Sequence, residues 1–327
     1  MGQNTAISIV IPTKGRIETL RKSLDRLKQQ TLPADRYEII VVDNAPDYSA
    51  ENVVKDISAR TPVSIRYFRG PDAGVCPSRN IGVLAARAEI ILMIGNDIIA
   101  EDTFLYQHLK SHEIFPSNNF AVLGLTKLYP DVLQSPFMKT WGDMPYAEIE
   151  GKTEIPCWFF ITNNISFKKS FFVRCGMFSE DFRRVGFEDI ELGFRLYKNG
   201  LRIVYNSDAV AYHDHLYSVE EACHQQINHG YNFGILITKL KAIGFNEYIP
   251  LLAERFGIIG HSHTWEGYIK GFIKKWLLHR TFIMHPLEKF LMNNKNPGKF
   301  SIFMYPKLFN YYANQGFLQY KNEHGKH

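Results

Sequence analysis

Short, mainly apolar runs at residues 6–11, 38–42, 65–68 and 90–94 alternate with stretches of helical period in the first third of the chain. Runs of four to six such residues are too short for a typical helix and suit strands buried on both faces. Between the first two, residues 16–30 carry Leu20, Leu24 and Leu27 at helical spacing with Lys and Arg opposite. Residues 50–60 and 77–88 predict two further helices. Strand and helix in alternation predict a parallel sheet with right-handed crossovers, a Rossmann-like nucleotide-binding half over residues 1–102. That half has no GxGxxG after its first strand, which removes the main support for a dehydrogenase. Its strands instead stop on polar residues: Thr13, Asp43 and, after Gly95 and Asn96, Asp97. Ligands of open α/β sheets bind beyond the carboxyl ends of the strands, so this last stop reads either as a turn or as a site for a cation and its phosphates.

The pattern weakens over residues 103–150, with one clear strand at 120–125. Residues 157–167 predict an aromatic-rich strand interrupted by Thr162, Asn163 and Asn164, whose amides need partners if buried. A helix over 189–199 with Gly200 as its C-cap follows, then short strands at 202–205 and 209–213 around an Asn-Ser-Asp turn. Helical periodicity dominates from Ser218. The expected division is an α/β domain over 1–217, its second half at 103–217, and a helical, aromatic-rich region over 218–327.

Charge sharpens that division. The net charge is +5, and residues 260–327 hold ten Lys/Arg against three Glu, a surplus of seven that leaves the rest at −2. The basic character belongs to the tail, which argues against a nucleic-acid surface on the main domain. Four widely spaced cysteines with no CxxC pair fit buried thiols of a reducing compartment. The chain enters its first strand almost at once and has no run of 18 apolar residues, so the expectation is a cytoplasmic protein with neither signal peptide nor membrane span.

Three acids, Glu188, Asp189 and Glu191, open the helix near 189. They either complement the helix dipole or, packed behind Gly186 and Phe187, include a general base. His213 and His215 fall on one side of a strand and Asp214 on the other. They read as a surface pair or, with Asp97 across the sheet edge, as ligands of Mn²⁺ or Mg²⁺. In the tail, Lys270, Lys274, Lys275 and Arg280 interleave with aromatics, as in a helix lying on an anionic membrane or one packed on the body with its lysines in solvent. Late aromatics such as Phe303 and Phe309 suit a helical subdomain or a homo-oligomer interface.

Seven stretches in order (residues 8–16, 38–44, 78–82, 91–97, 162–166, 187–195 and 202–213) resemble family 2 glycosyltransferases of the GT-A fold. The resemblance covers about two thirds of the chain. It implies an inverting enzyme moving a sugar from a nucleotide-diphosphate sugar, a UDP-sugar by the match of Asp43, to a glycan or lipid-linked acceptor in cell-surface polysaccharide synthesis; were the acceptor lipid-linked, the basic tail would bring the chain to the inner face of the membrane. It places Pro12, Thr13, Arg16, Asp43, Arg79 and Asn96 at the nucleotide, Asp97 and His213 at the metal, and Thr162, Asn164, Phe187 and Glu188 around the sugar and acceptor. Asp189 matches the catalytic base. Gly95 departs from the pattern, standing where the family usually has an acid. The competing expectation is a non-catalytic relative that binds a sugar nucleotide.

Overall fold

The computed structural model describes residues 5–141, 145–258, 281–293 and 298–325. The chain forms two compact units: residues 1–133, 143–183 and 188–215, and residues 134–142, 184–187 and 216–327. The strands are β1 (Ile7–Thr13), β2 (Tyr37–Asp43), β3 (Ser64–Arg69), β4 (Ile90–Ile94), β5 (Ile98–Ala100), β6 (Phe120–Leu128), β7 (Glu154–Ile155), β8 (Asn164–Lys168) and β9 (Arg202–His213). The helices are α1 (Ile17–Leu27), α2 (Ala50–Ser58), α3 (Val75–Ala85), α4 (Phe104–Ile114), α5 (Pro136–Trp141), α6 (Lys169–Arg174), α7 (Glu188–Lys198), α8 (Val219–Ile243) and α9 (Tyr248–Arg255), then Thr281–Asn293 and Lys299–His324.

In the first unit one sheet runs in the order β3-β2-β1-β4-β8-β6-β9-β5, with β7 on β9. Its first half is parallel, as alternation predicts, while β8 joins β4 and β6 antiparallel and β9 joins β6 parallel. Leu20, Leu24 and Leu27 of α1 and Val53, Val54 and Ile57 of α2 bury their stripes against β1 and β2 in one apolar cluster. A fully buried side chain of this size contributes roughly 1.5–3 kcal/mol.

The structure revises three expectations. Residues 157–159 make a single 3-10 turn, and the strand begins only at Asn164, because Pro156 and the polar Thr162–Asn163 step interrupt the ladder. The two short strands near 202–213 are one strand, β9, whose register on β6 shifts where the Asn-Ser-Asp segment bulges. Helix α4, absent from the expectations, buries Phe104 and Leu105 together with His108 and His112, so its inner face reads as polar in sequence. All four cysteines are buried free thiols.

Those histidines belong to a buried network. His108 meets Ser166 Oγ through Nδ1 and Asn164 Oδ1 through Nε2, both at 2.9 Å, and His112 Nε2 reaches the same Ser166 Oγ at 2.9 Å. Burial pushes His108 down to about 4 and His112 down to about 3. The unfolded chain protonates both below about 6.5 while the folded chain resists, so this stability is complete above that pH and lost as pH falls toward 4. Urea midpoints should therefore fall between pH 7.5 and 5 by the equivalent of about 2 kcal/mol per imidazole. His112→Gln should remove part of that slope; an unchanged slope would show that the imidazole does not stay neutral.

The second unit is helical. Ser218 caps α8 in a reciprocal capping box with Glu221. The helix Lys299–His324 crosses α8 so closely that a Cβ on Gly230 would lie 1.7 Å from the Ala313 carbonyl oxygen, and one on Gly316 1.9 Å from that of Ile227. Only glycine permits that backbone approach. Among the described residues no helix is long and apolar enough to cross a membrane. Lys270, Lys274, Lys275 and Arg280 lie outside the described residues.

Candidate active site

Strand register assembles one edge of the first unit's sheet. Thr13 ends β1 opposite Asp43, the last residue of β2. Ile94 ends β4 opposite Asn164, where antiparallel β8 begins, so Gly95–Asp97 leave the sheet where Thr162 and Asn163 enter it. Ile98 of β5 pairs with His213 of β9, and Asp214 N–H donates to the Asp97 carbonyl at 2.8 Å. That pairing brings two histidines beside an acid more than a hundred residues away in sequence.

Asp97, His213 and His215 offer ligand atoms that all lie within 4.8 Å of one another. The Asp97 side chain is 11 % exposed, with His213 Nε2 at 3.5 Å and His215 Nδ1 at 3.8 Å from Oδ2. Burial works to raise this carboxyl, but the hydrogen bond and charge of His213 and the charges of Arg16 and His215 hold it below its ordinary value. Arg16 Nη1 donates to Asp97 Oδ2 and to His215 Nδ1, both at 2.9 Å. A cationic group thus already rests among the three donors, and a carboxylate with two imidazoles suits a divalent cation of the Mn²⁺ type. The residues present fit a metal. His215 was grouped with His213 by strand alternation, and the 3.8 Å from its Nδ1 to Asp97 Oδ2 adds it to the candidate ligands.

Gly95 has a local cause. A Cβ there would lie 2.6 Å from Asp97 Oδ1, so the carboxylate occupies the space a side chain at 95 would take. Asn96 Nδ2 donates to Thr13 Oγ1 at 2.8 Å and to the Gly15 carbonyl at 3.2 Å, fixing the loop that carries Arg16. Gly15 and Arg16 both take left-handed backbone conformations, which aims the arginine back over the sheet edge. Pro12 is half-buried just behind this loop.

Asp43 departs from its expected place. The carboxylate has no exposed surface: Oδ1 accepts from Ala45 N–H, and Oδ2 from Ala50 N–H and the Tyr67 hydroxyl. It orders the loop into α2 rather than presenting a free acceptor to a base. Asn164 departs too. It is fully buried, with Oδ1 on His108 and Nδ2 donating to the Ala209 carbonyl, a core amide rather than a pocket lining. Phe187 lies in the second unit, its ring packed against His229, Phe233 and Phe256.

The acids form a second cluster. Arg79 on α3 donates from Nη1 to Glu188 Oε1 and from Nη2 to Thr162 Oγ1, each at 2.7 Å. Arg79 and Glu188 are both buried, so the expected nucleotide arginine instead ties α3, the Thr162 turn and α7 together. Glu191 is held by Arg195 on the same helix. Asp189, half-buried, receives the Ile190 N–H on Oδ1 at 2.8 Å. Burial, then the neighbouring charge of Glu188, pushes its carboxyl up to about 7, against the pull of Arg79 and of backbone groups of Ile190 and Thr162. A carboxyl poised near neutrality can exchange a proton with a bound hydroxyl.

Residues 8–176 match the profile of Glycosyl transferase family 2. Among relatives, an uncharacterized glycosyltransferase, YfnE, of Bacillus subtilis is 26 % identical over 63 % of this chain and 64 % of its own length. The chondroitin synthase of Escherichia coli is 27 % identical over 63 % of the chain and 34 % of its own. The validoxylamine A glucosyltransferase of Streptomyces hygroscopicus subsp. jinggangensis is 28 % identical over 60 % and 52 %. The chain thus spans less than two thirds of each of these relatives. In fold it is similar to the mannosyltransferase PcManGT of Pyrobaculum calidifontis, solved with GDP-Man and Mn²⁺, at a TM-score of 0.59 and 15 % identity over 98 % of this chain and 88 % of that one. It is also similar to S. aureus TarS residues 1–349, at 0.56 and 14 % over 96 % and 92 %.

Proposed function

The chain belongs to glycosyl transferase family 2 and has the GT-A fold, and from that premise we propose an inverting enzyme that moves a sugar from a nucleotide-diphosphate sugar to an acceptor hydroxyl in cell-surface polysaccharide synthesis. The observation that carries it is the pairing of β5 with β9, which gathers Asp97, His213 and His215, and the Arg79 contacts to Thr162 and Glu188 at the start of α7, where Asp189 sits, add support. Asp189 accepts the proton of the acceptor hydroxyl while that oxygen forms the bond to the anomeric carbon and the nucleoside diphosphate departs with its bonding pair. Asp97, His213 and His215 would hold a Mn²⁺ or Mg²⁺ ion, which would supply Lewis-acid stabilisation of the charge on the leaving diphosphate. Thr13, Asn96 and Arg16 order the edge where that diphosphate lies. The match of Asp43 favours uridine, with Asp43 acting through the loop it holds. Phe300 and Phe303, exposed beside exposed Lys299 and Lys307, support a lipid-linked acceptor met at an anionic membrane surface.

The test is sugar transfer against a panel of nucleotide sugars with Mn²⁺, Mg²⁺ or EDTA. Chelation should remove activity and Mn²⁺ restore it, and Asp97→Asn should cost about 10²-fold or more, the loss of a several kcal/mol charge-stabilising group. Full activity in EDTA would sink the metal assignment. Gly95 favours a second reading, a sugar-nucleotide binder without turnover; donor hydrolysis with Mn²⁺ present excludes it.

A further inference from the structure

The most informative residue outside the transfer chemistry is Arg16. Its Nη1 lies 2.9 Å from Asp97 Oδ2 and 2.9 Å from His215 Nδ1, atoms of two of the three residues that could hold a metal at this edge. Because the guanidinium can only donate, His215 must offer the Nδ1 lone pair to it, the same lone pair a metal ion would take. The arginine therefore does not merely neighbour the site. It occupies atoms of two residues that a cation at this edge would use.

We propose that Arg16 is a built-in competitor for the metal, released from Asp97 and His215 when a nucleoside diphosphate arrives, so that metal and donor bind cooperatively. The proposal rests on the metal reading above. A guanidinium and a divalent cation cannot share the one lone pair of His215 Nδ1, so a metal held on that nitrogen requires the arginine to leave it. Its side chain is 45 % exposed and extends from a loop at the N-terminus of α1, so it can swing without disturbing the core. A diphosphate at this edge gives it a destination. A guanidinium released from Asp97 bridges two phosphate oxygens well. Before the donor binds, the arginine keeps the buried Asp97 charge compensated. Afterwards the metal does so, and Arg16 adds its charge to the diphosphate.

This predicts opposite signs for one substitution. Mn²⁺ binding to the full chain without nucleotide, followed by the loss of the free-ion EPR signal, should be about ten-fold tighter or more in Arg16→Gln than in the unmodified protein, the equivalent of one charged hydrogen bond. UDP binding in EDTA, followed by calorimetry, should be weaker in the same variant. Arg16→Asn, whose residue type accepts the left-handed backbone, should reproduce both results. Arg16→Gln combined with Asp97→Asn should lose the gain in Mn²⁺ affinity. Equal or weaker Mn²⁺ binding by Arg16→Gln and Arg16→Asn would overturn the competition while leaving the metal site standing. Mn²⁺ binding by none of these proteins would overturn the metal reading and the competition together.

Discussion

Asp189→Asn should lose about 10²–10⁴-fold in kcat/KM for sugar transfer, the usual contribution of a positioned general base, while donor affinity changes little. The amide is nearly isosteric and retains an oxygen for the Ile190 N–H, so the fold should survive. What it lacks is the basic carboxylate. The pH profile supplies an independent check. With the Asp189 carboxyl pushed up to about 7 by burial and Glu188, the base is protonated at lower pH. The kcat/KM of the unmodified enzyme should then drop about ten-fold per pH unit below 7 and level off above it. Transfer by Asp189→Asn at the unmodified rate, or a flat profile between pH 5 and 8, would remove Asp189 from the role of base.

Arg79→Met should destabilise the protein by about 3–5 kcal/mol, because it removes the guanidinium from a buried Glu188 carboxylate and a donor from Thr162. For a unit of this size that lowers the melting temperature by roughly 10 °C. Adding Glu188→Gln should recover most of the loss, since no buried charge then lacks its counter-ion; the coupling is read from the double-mutant cycle. Activity should fall as well and not return with the second substitution, because Asp189 loses the neighbouring charges that set its proton affinity. A melting temperature unchanged in Arg79→Met would show that this pair stabilises nothing. If transfer recovered fully in the double variant, Arg79 and Glu188 would serve only the fold.

These two residues differ in how much of their setting the sequence shows. The position of Asp189 at the start of a packed helix is legible because an acid-rich first turn runs directly into Ile190, Leu192 and Leu196. The place of Arg79 is not. Its motif points to the nucleotide, yet a guanidinium takes the nearest buried carboxylate, and which one is nearest follows from how α3 packs beside α7. The interior partners of Asn164 and Asp43 are out of reach of the sequence for a related reason. A polar residue at a strand end looks the same whether it faces a ligand or satisfies the interior, and here His108, Ala209, Ala45, Ala50 and Tyr67 supply the interior partners.

By itself the sequence determined the parallel half of the sheet, the helices that cover it and the edge on which Asp97 sits. Those follow from apolar period and local polarity, which neighbours along the chain suffice to set. The tertiary structure alone decided that His215 joins His213 and Asp97 and that Arg16 rests among the ligands. Each depends on the pairing of β5 with β9 or on a left-handed turn, contacts across many residues that no local pattern encodes.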